Sequence, residues 1–387
     1  MRILLLAPGI SIHSERFLQM LLNTGHDVTF VDRHNPKPEG AERYKFVPLP
    51  STQLEYSTLR CTTRLSHWVK LAKLRLIWHS AKPDIVHVHW IDELAFLCAQ
   101  ARLHPLVLTC WGSDINNFFE SRSANDPQRR RTAQSLLAAE HITADTRQVL
   151  ARCETLAGRK LPAGLFYFGI DLDKFKPGYV DQAQALRARL GISRSTKVVL
   201  SIRRPIPQMG HHHIIRAFAG ALADTNLDAV LVIKRYLAQD EEYETELSQL
   251  AADLRIARRV IWMDGIVHDD MPILYAASDV VVNFPEYDGL SVSLLEAAAC
   301  RKPIITNDLP AYYDLLRDGA FTTVLHGDIL QLASALESVL ANRDASVEFQ
   351  IEKNRRLVTR IADQKMCVAQ MERIYEDVIG RTRKARK

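Results

Sequence analysis

Several features are scarce in this chain of 387 residues, and each scarcity removes a class of protein. No apolar run approaches the ~20 residues that a membrane-crossing helix needs. The opening stretch from Arg2 to Ala7 is too short for a secretory leader and reads as a first β-strand. Six cysteines (Cys61, Cys98, Cys110, Cys153, Cys300 and Cys367) lie far apart with no C-x-x-C pair. That spacing fits neither a zinc knuckle nor a disulfide framework, and it points to a reducing compartment, so the cytoplasm is the expected location. No G-x-G-x-x-G follows a strand pattern, which argues against a dinucleotide dehydrogenase. No internal repeat or low-complexity segment is present. The net charge of +5 is too mild for a nucleic-acid partner to be expected.

What is present is alternation. Short apolar runs (3–7, 28–31, 85–89, 106–109, 198–202, 229–233, 260–263, 280–283, 303–306) are separated by helical patterns, the signature of βαβ units and a parallel sheet. The length exceeds what one core fills. Gly169, Pro177 and Gly178 break the pattern, so residues 1–175 read as one Rossmann-like domain and 176–365 as a second. Residues 366–387 form a last helix with a basic tail. Two such α/β halves are expected to face each other across a cleft, and ligands of open sheets bind outside the carboxyl ends of the strands.

Residues 60–78 mix Arg60, Arg64, Lys70, Lys73 and Arg75 with Leu65, Trp68, Val69, Leu71, Leu74, Leu76 and Trp78. Peripheral contact with an anionic membrane is one reading of this basic amphipathic helix. A surface helix whose apolar stripe packs into the core is the favoured one.

The strongest local signal runs from Asn283 to Ile305. An apolar strand enters a turn at Pro285, Asp288-Gly289 follows, and a helix then begins. Such a turn aims backbone amides and a helix N-terminus at the crevice, an arrangement suited to a diphosphate. Gly289 lets a ligand approach the backbone, with Leu290 and Ser291 beside it. Glu296, about two turns along, is suited to paired ribose hydroxyls. The plainer reading makes Ser293 and Glu296 a capping box and Asp288-Gly289 an ordinary turn.

This stretch resembles the E-x7-E region of glycosyltransferase family 4, with Asp288 in place of the first glutamate and Glu296 as the second. Further landmarks follow in the family's order: Pro83-Asp-Ile-Val-His-Val-His89, Leu108-Thr-Cys-Trp-Gly-Ser-Asp114, Phe168-Gly-Ile-Asp-Leu-Asp-Lys-Phe-Lys-Pro177 and Ile202-Arg-Arg-Pro-Ile-Pro-Gln-Met-Gly210. The resemblance implies a GT-B fold, with an N-terminal acceptor domain and a C-terminal donor domain. It implies a retaining, metal-independent enzyme that moves a sugar from a UDP- or GDP-sugar to a carbohydrate, lipid-linked or small-molecule acceptor, in surface polysaccharide or glycolipid synthesis. The nucleotide sugar is a substrate and no cofactor is implied. The terminal helix through Met371 and Tyr375 is expected to cross back to the first domain.

Residue by residue, the family's diphosphate-binding R-x4-K-G falls on Arg204 and Met209, so the lysine is missing. Arg204 is the first choice, because a guanidinium suits bidentate phosphate contacts, with Arg203 and Lys234 as substitutes. Asp288 is expected to hold donor-sugar hydroxyls. The backbone near Gly265 and Val267 is expected to read the base. Gly9, His13, Trp111 and Asp114 are the acceptor-side candidates, although tryptophan stands where the family often has histidine. A nucleotide-sugar epimerase of the same fold and an inactive binding or scaffold subunit are the alternatives. The second draws on the departures at Met209, Trp111 and Arg301.

No metal is expected. Asp171-Leu-Asp173 mimics a D-x-D motif but sits in a junction turn. His211, His212 and His213 are consecutive on a helix, where neighbours point about 100° apart and three cannot converge on one ion.

Overall fold

The computed structural model describes residues 1–7, 12–32, 43–49, 60–120, 126–223, 225–236, 240–317, 321–341 and 345–385. Thirteen strands are described: β1 Arg2–Ala7, β2 Asp27–Asp32, β3 Lys45–Pro48, β4 Ile85–His89, β5 Leu106–Thr109, β6 His141–Ala144, β7 Ala163–Leu165, β8 Lys197–Ser201, β9 Ala229–Lys234, β10 Val260–Met263, β11 Val280–Asn283, β12 Ile304–Asn307 and β13 Thr322–Val324. They form two parallel sheets, ordered β3-β2-β1-β4-β5-β6-β7 and β10-β9-β8-β11-β12-β13. The chain divides into two compact units, Met1–Phe168 with Gln364–Lys387, and Gly169–Asp363.

The reason for two parallel sheets lies in the strand sequences. β4, β5, β9, β11 and β12 are buried at every position. Strands covered by helices on both faces lose the polar alternation of a one-sided sheet. In the first unit, Leu4, Leu6, Val86, Val88, Leu106 and Leu108 centre the core; in the second, Val199, Leu231, Ile233, Val280, Val282 and Ile305 do so. Short or half-exposed strands escape this reading: β3, β7 and β13 carry no continuous apolar signal.

Both sheets change direction at the centre. After β1 the chain lays β2 and β3 to one side, then returns to place β4 on the other. β8, β9, β10 and β11 repeat the manoeuvre. The crevice outside the carboxyl ends of β8 and β11 is therefore a topological switch point, where open α/β sheets bind ligands.

The last helix, Gln364–Ala385, belongs to the first unit. There Tyr375 hydroxyl meets His87 Nδ1 at 2.6 Å, and Gln370 Nε2 donates to the Leu165 carbonyl at 2.7 Å. The basic helix Arg60–Ala81 divides its apolar residues. Leu71 and Leu74 are buried, whereas Leu65, Trp68, Val69 and Leu76 are 47–70% exposed. The core therefore accounts for only part of its apolar surface, less than the favoured reading of that helix required. No helix among the described residues is long and apolar enough to cross a membrane. Cys98, Cys110, Cys153, Cys300 and Cys367 are buried free thiols.

Candidate active site

At the switch point of the second unit, the turn after β11 meets the turn after β8. Asp288 Oδ2 accepts from Arg203 Nη2 at 2.9 Å and from the Tyr312 hydroxyl at 3.0 Å, while Oδ1 accepts from the Gly289 amide at 2.9 Å. Tyr312 is fully buried and its hydroxyl also accepts from Asn283 Nδ2 at 2.8 Å. Burial and then the Asp288 carboxylate push the Tyr312 phenol well above its ordinary range, so it remains a donor to Asp288. The Arg203 guanidinium also donates to Ser291 Oγ, and its Nε reaches Met209 Sδ at 3.3 Å. Methionine at 209 thus lies against Arg203, where a lysine would have set a second positive charge.

The structure brings Arg203, not Arg204, to Asp288. Arg204 is exposed and its carbonyl meets His211 Nε2. Tyr312 was absent from the sequence reading. It lies 24 positions beyond Asp288, and no local pattern marks it.

The helix Val292–Ala299 begins just after this turn, and Ser291 gives it no side-chain cap. Ser291 Oγ instead meets Ser293 Oγ at 2.7 Å, and Glu296 turns elsewhere, so the capping-box reading of Ser293 and Glu296 is not realised. Glu296 is buried, with Oε1 on His268 Nε2 at 2.9 Å and Oε2 on the Tyr275 hydroxyl at 3.0 Å. His268 and Tyr275 are thus two further residues the sequence reading missed. Lys234 is buried at the end of β9 with Nζ 3.5 Å from the Tyr236 ring centroid. Burial lowers its pKa to about 8 against the opposing pull of Glu296, which leaves it cationic at neutral pH. Gly265 and Val267 lie exposed between β10 and His268.

One glycine fixes this geometry. Gly210 has φ +65°, and a Cβ there would lie 2.0 Å from the Phe284 carbonyl oxygen. Only a residue without a side chain lets the start of the helix His211–Ala223 lie against the Phe284–Ser291 turn. The contact is latched by Glu286 N donating to the Gln208 carbonyl at 2.8 Å and Gln208 Nε2 donating to the Tyr287 carbonyl at 2.9 Å.

In the first unit, His13 and Trp111 do meet, with ring centroids 5.2 Å apart, and Phe168 completes the cluster at 5.4 Å from His13. Beneath them lies His89, fully buried, with neither ring nitrogen hydrogen-bonded among the described residues. Burial, aided by His13, lowers its pKa to about 3, and it is neutral. Asp114 is buried and accepts from the amides of Ile91 at 2.9 Å and Trp111 at 3.0 Å, so it positions Trp111. Burial raises its pKa to about 6 despite these amides. Gly9 lies outside the described residues. Asp171 Oδ1 accepts from the amides of Asp173 and Lys174, which makes the D-x-D segment a turn.

Two family models match in succession: "Glycosyl transferase 4-like" over residues 2–146 and "Glycosyl transferases group 1" over residues 182–359. The chain is 24% identical over 352 residues to a GDP-mannose-dependent alpha-(1-6)-phosphatidylinositol monomannoside mannosyltransferase of Mycolicibacterium smegmatis, which covers 86% of each chain. It is 30% identical over 181 residues to a D-inositol 3-phosphate glycosyltransferase of Geodermatophilus obscurus, 46% of this chain and 40% of that one. The chain therefore spans less than half of this second relative's length. Among solved structures, Anabaena HepE in complex with UDP and glucose superposes with TM-score 0.80 at 18% identity, covering 97% of this chain and all of that one. Sucrose-phosphate synthase from Thermosynechococcus elongatus gives 0.81 at 16%, covering 98% of this chain and 100% of that chain. At these identities the superpositions establish the GT-B fold.

Proposed function

Given that the chain belongs to the group 1 glycosyltransferases, we propose that it moves a sugar from a UDP- or GDP-sugar to an acceptor hydroxyl, with retention and with protein cations in place of a metal at the diphosphate. The observation that carries this reading is the Arg203–Asp288–Ser291 constellation at the switch point, beside the uncapped N-terminus of Val292–Ala299. Arg203 and Arg204 neutralise the departing diphosphate with the amides of Gly289, Leu290 and Ser291, acting by preorganised charge. Lys234 adds a third cation. Asp288 holds donor hydroxyls. Glu296, set by His268 and Tyr275, binds the ribose hydroxyls. The backbone at Gly265 and Val267 borders the base. The new bond joins the acceptor oxygen to the anomeric carbon as the carbon–phosphate oxygen bond breaks, and the leaving phosphate oxygen takes the acceptor proton.

His13, Trp111 and, through Trp111, Asp114 belong to the acceptor side, with Gly9 assigned there on sequence grounds. The nucleotide sugar is substrate and no cofactor takes part. The exposed stripe Leu65, Trp68, Val69 and Leu76 supports a cytoplasmic protein that attaches to an anionic membrane face, where a lipid-linked acceptor resides. GDP-mannose is in the name of one relative and UDP in that of one structural neighbour. Both nucleotides are therefore candidates.

Thermal shift with UDP, GDP and their sugars, followed by donor hydrolysis in wild type and Asp288→Glu, tests the reading. One nucleotide should raise the unfolding midpoint, and Asp288→Glu should change donor preference more than nucleotide affinity. No shift with either nucleotide at millimolar concentration would sink it, and binding without turnover would favour the scaffold alternative. Binding to phosphatidylglycerol vesicles should fall in Trp68→Ser; unchanged binding refutes the membrane face.

A further inference from the structure

The triple histidine that begins the helix His211–Ala223 divides in the fold. His211 turns inward, with Nδ1 on Ser201 Oγ at 3.1 Å and Nε2 on the Arg204 carbonyl at 3.2 Å. His212 and His213 stay together, ring centroids 4.0 Å apart, and both face Glu286 from the turn after β11. His213 Nε2 lies 2.9 Å and His212 Nε2 3.8 Å from Glu286 Oε1, and one ligand atom from each of the three residues lies within 4.8 Å of the others. The helix period excludes three consecutive ligands; it does not exclude two joined by a carboxylate from 73 positions away.

We propose that His212, His213 and Glu286 form a binding site for one zinc-class divalent ion, a site separate from the residues that face the donor.

Three observations support it. Bonds of about 2.0–2.1 Å to a tetrahedral ion place two ligand atoms roughly 3.3 Å apart, and the measured 2.9 and 3.8 Å lie on either side of that spacing. The outer nitrogen of His212 is held as a metal ligand's usually is: its Nδ1 meets the Tyr243 hydroxyl at 2.8 Å, which fixes the ring with Nε2 toward Glu286. The helix start is already held against the turn that carries Glu286, through the Gly210–Phe284 contact and the two Gln208 hydrogen bonds.

A fourth polar group stands beside the set. His326 Nε2 is 3.3 Å from Glu286 Oε2, and its Nδ1 is 2.9 Å from Asn307 Nδ2, so it orients the carboxylate from the far side. Two imidazoles and one carboxylate suit zinc, cobalt or nickel rather than magnesium or calcium, which prefer all-oxygen shells. An ion there would pin the helix start to the turn that carries Asp288 two residues on. Glu286 and Asp288 leave that turn toward different partners.

The test uses the full chain without a histidine tag, stripped with EDTA. Cobalt titrated in the visible range, then displaced by zinc, should show one tight equivalent per chain that millimolar magnesium does not displace. Glu286→Gln and His213→Gln should each abolish that equivalent, while the circular dichroism spectrum confirms that both remain folded. Tyr243→Phe should weaken binding about tenfold, the low end for loss of an outer partner. Absence of a tight equivalent in the wild type overturns the proposal. So does an equivalent that survives both Glu286→Gln and His213→Gln. Because binding is read without donor or acceptor, the outcome is independent of the proposed glycosyl transfer.

Discussion

Replacing Arg203 with alanine tests the centre of the donor site. Arg203 Nη2 and Asp288 Oδ2 are 2.9 Å apart, and the side chains are only 19% and 13% exposed. Unit charges about 4 Å apart at an effective dielectric of 20 attract by about 4 kcal/mol. Loss of one partner from a buried pair typically costs about 3–5 kcal/mol because the other is left uncompensated. Here Tyr312 and the Gly289 amide still hold Asp288, so about 3 kcal/mol is expected. Asp288→Asn in the Arg203→Ala background should recover about half of it, since no charge then remains to be compensated. Arg204→Ala, at an exposed position, should cost under about 0.5 kcal/mol.

Trp262 is the tryptophan of the second unit, with Trp68, Trp78, Trp90 and Trp111 in the first. Urea unfolding followed by fluorescence with those four replaced by phenylalanine therefore reports on the second unit. Turnover is read alongside. Loss of one preorganised donor should lower kcat about 10²–10³-fold in Arg203→Ala. Equal stability losses in Arg203→Ala and Arg204→Ala, or no recovery of stability in the double variant together with unchanged kcat in Arg203→Ala, would refute the pairing as the organising contact.

Two further outcomes follow from buried groups elsewhere. Gly210→Ala must both adopt φ +65° and relieve a 2.0 Å overlap with the Phe284 carbonyl; the left-handed conformation alone costs about 1–2 kcal/mol, so a loss above about 2 kcal/mol is expected in urea unfolding, and a loss below 1 kcal/mol would show that the turn is free to move. His89 has a folded pKa of about 3 against an ordinary 6.5, so its contribution is complete above pH 6.5 and is lost as pH falls toward 3; at pH 5 this amounts to about 2 kcal/mol. His89→Leu should flatten the fall in first-unit stability between pH 7 and 5 by that amount, and an unchanged slope would show that His89 is protonated in the folded protein.

The sequence by itself determined the layout. Strands buried on both faces read as uninterrupted apolar runs, and the alternation with helices required parallel sheets in two units. Asp288, Gly289, Ser291 and Glu296 were legible because a strand, turn and helix contiguous in the chain hold them together. What local pattern could not carry was every partner that arrives from another element. Which of Arg203 and Arg204 pairs with Asp288 depends on how the chain leaves the end of β8. Tyr312 beneath Asp288, and His268 and Tyr275 on Glu296, come from separate loops and helices. The pairing of His212 and His213 with Glu286 depends on Gly210, whose missing side chain lets two turns approach. Periodicity reports burial within one element; convergence of side chains from several is fixed only when the sheet sets their strand ends side by side.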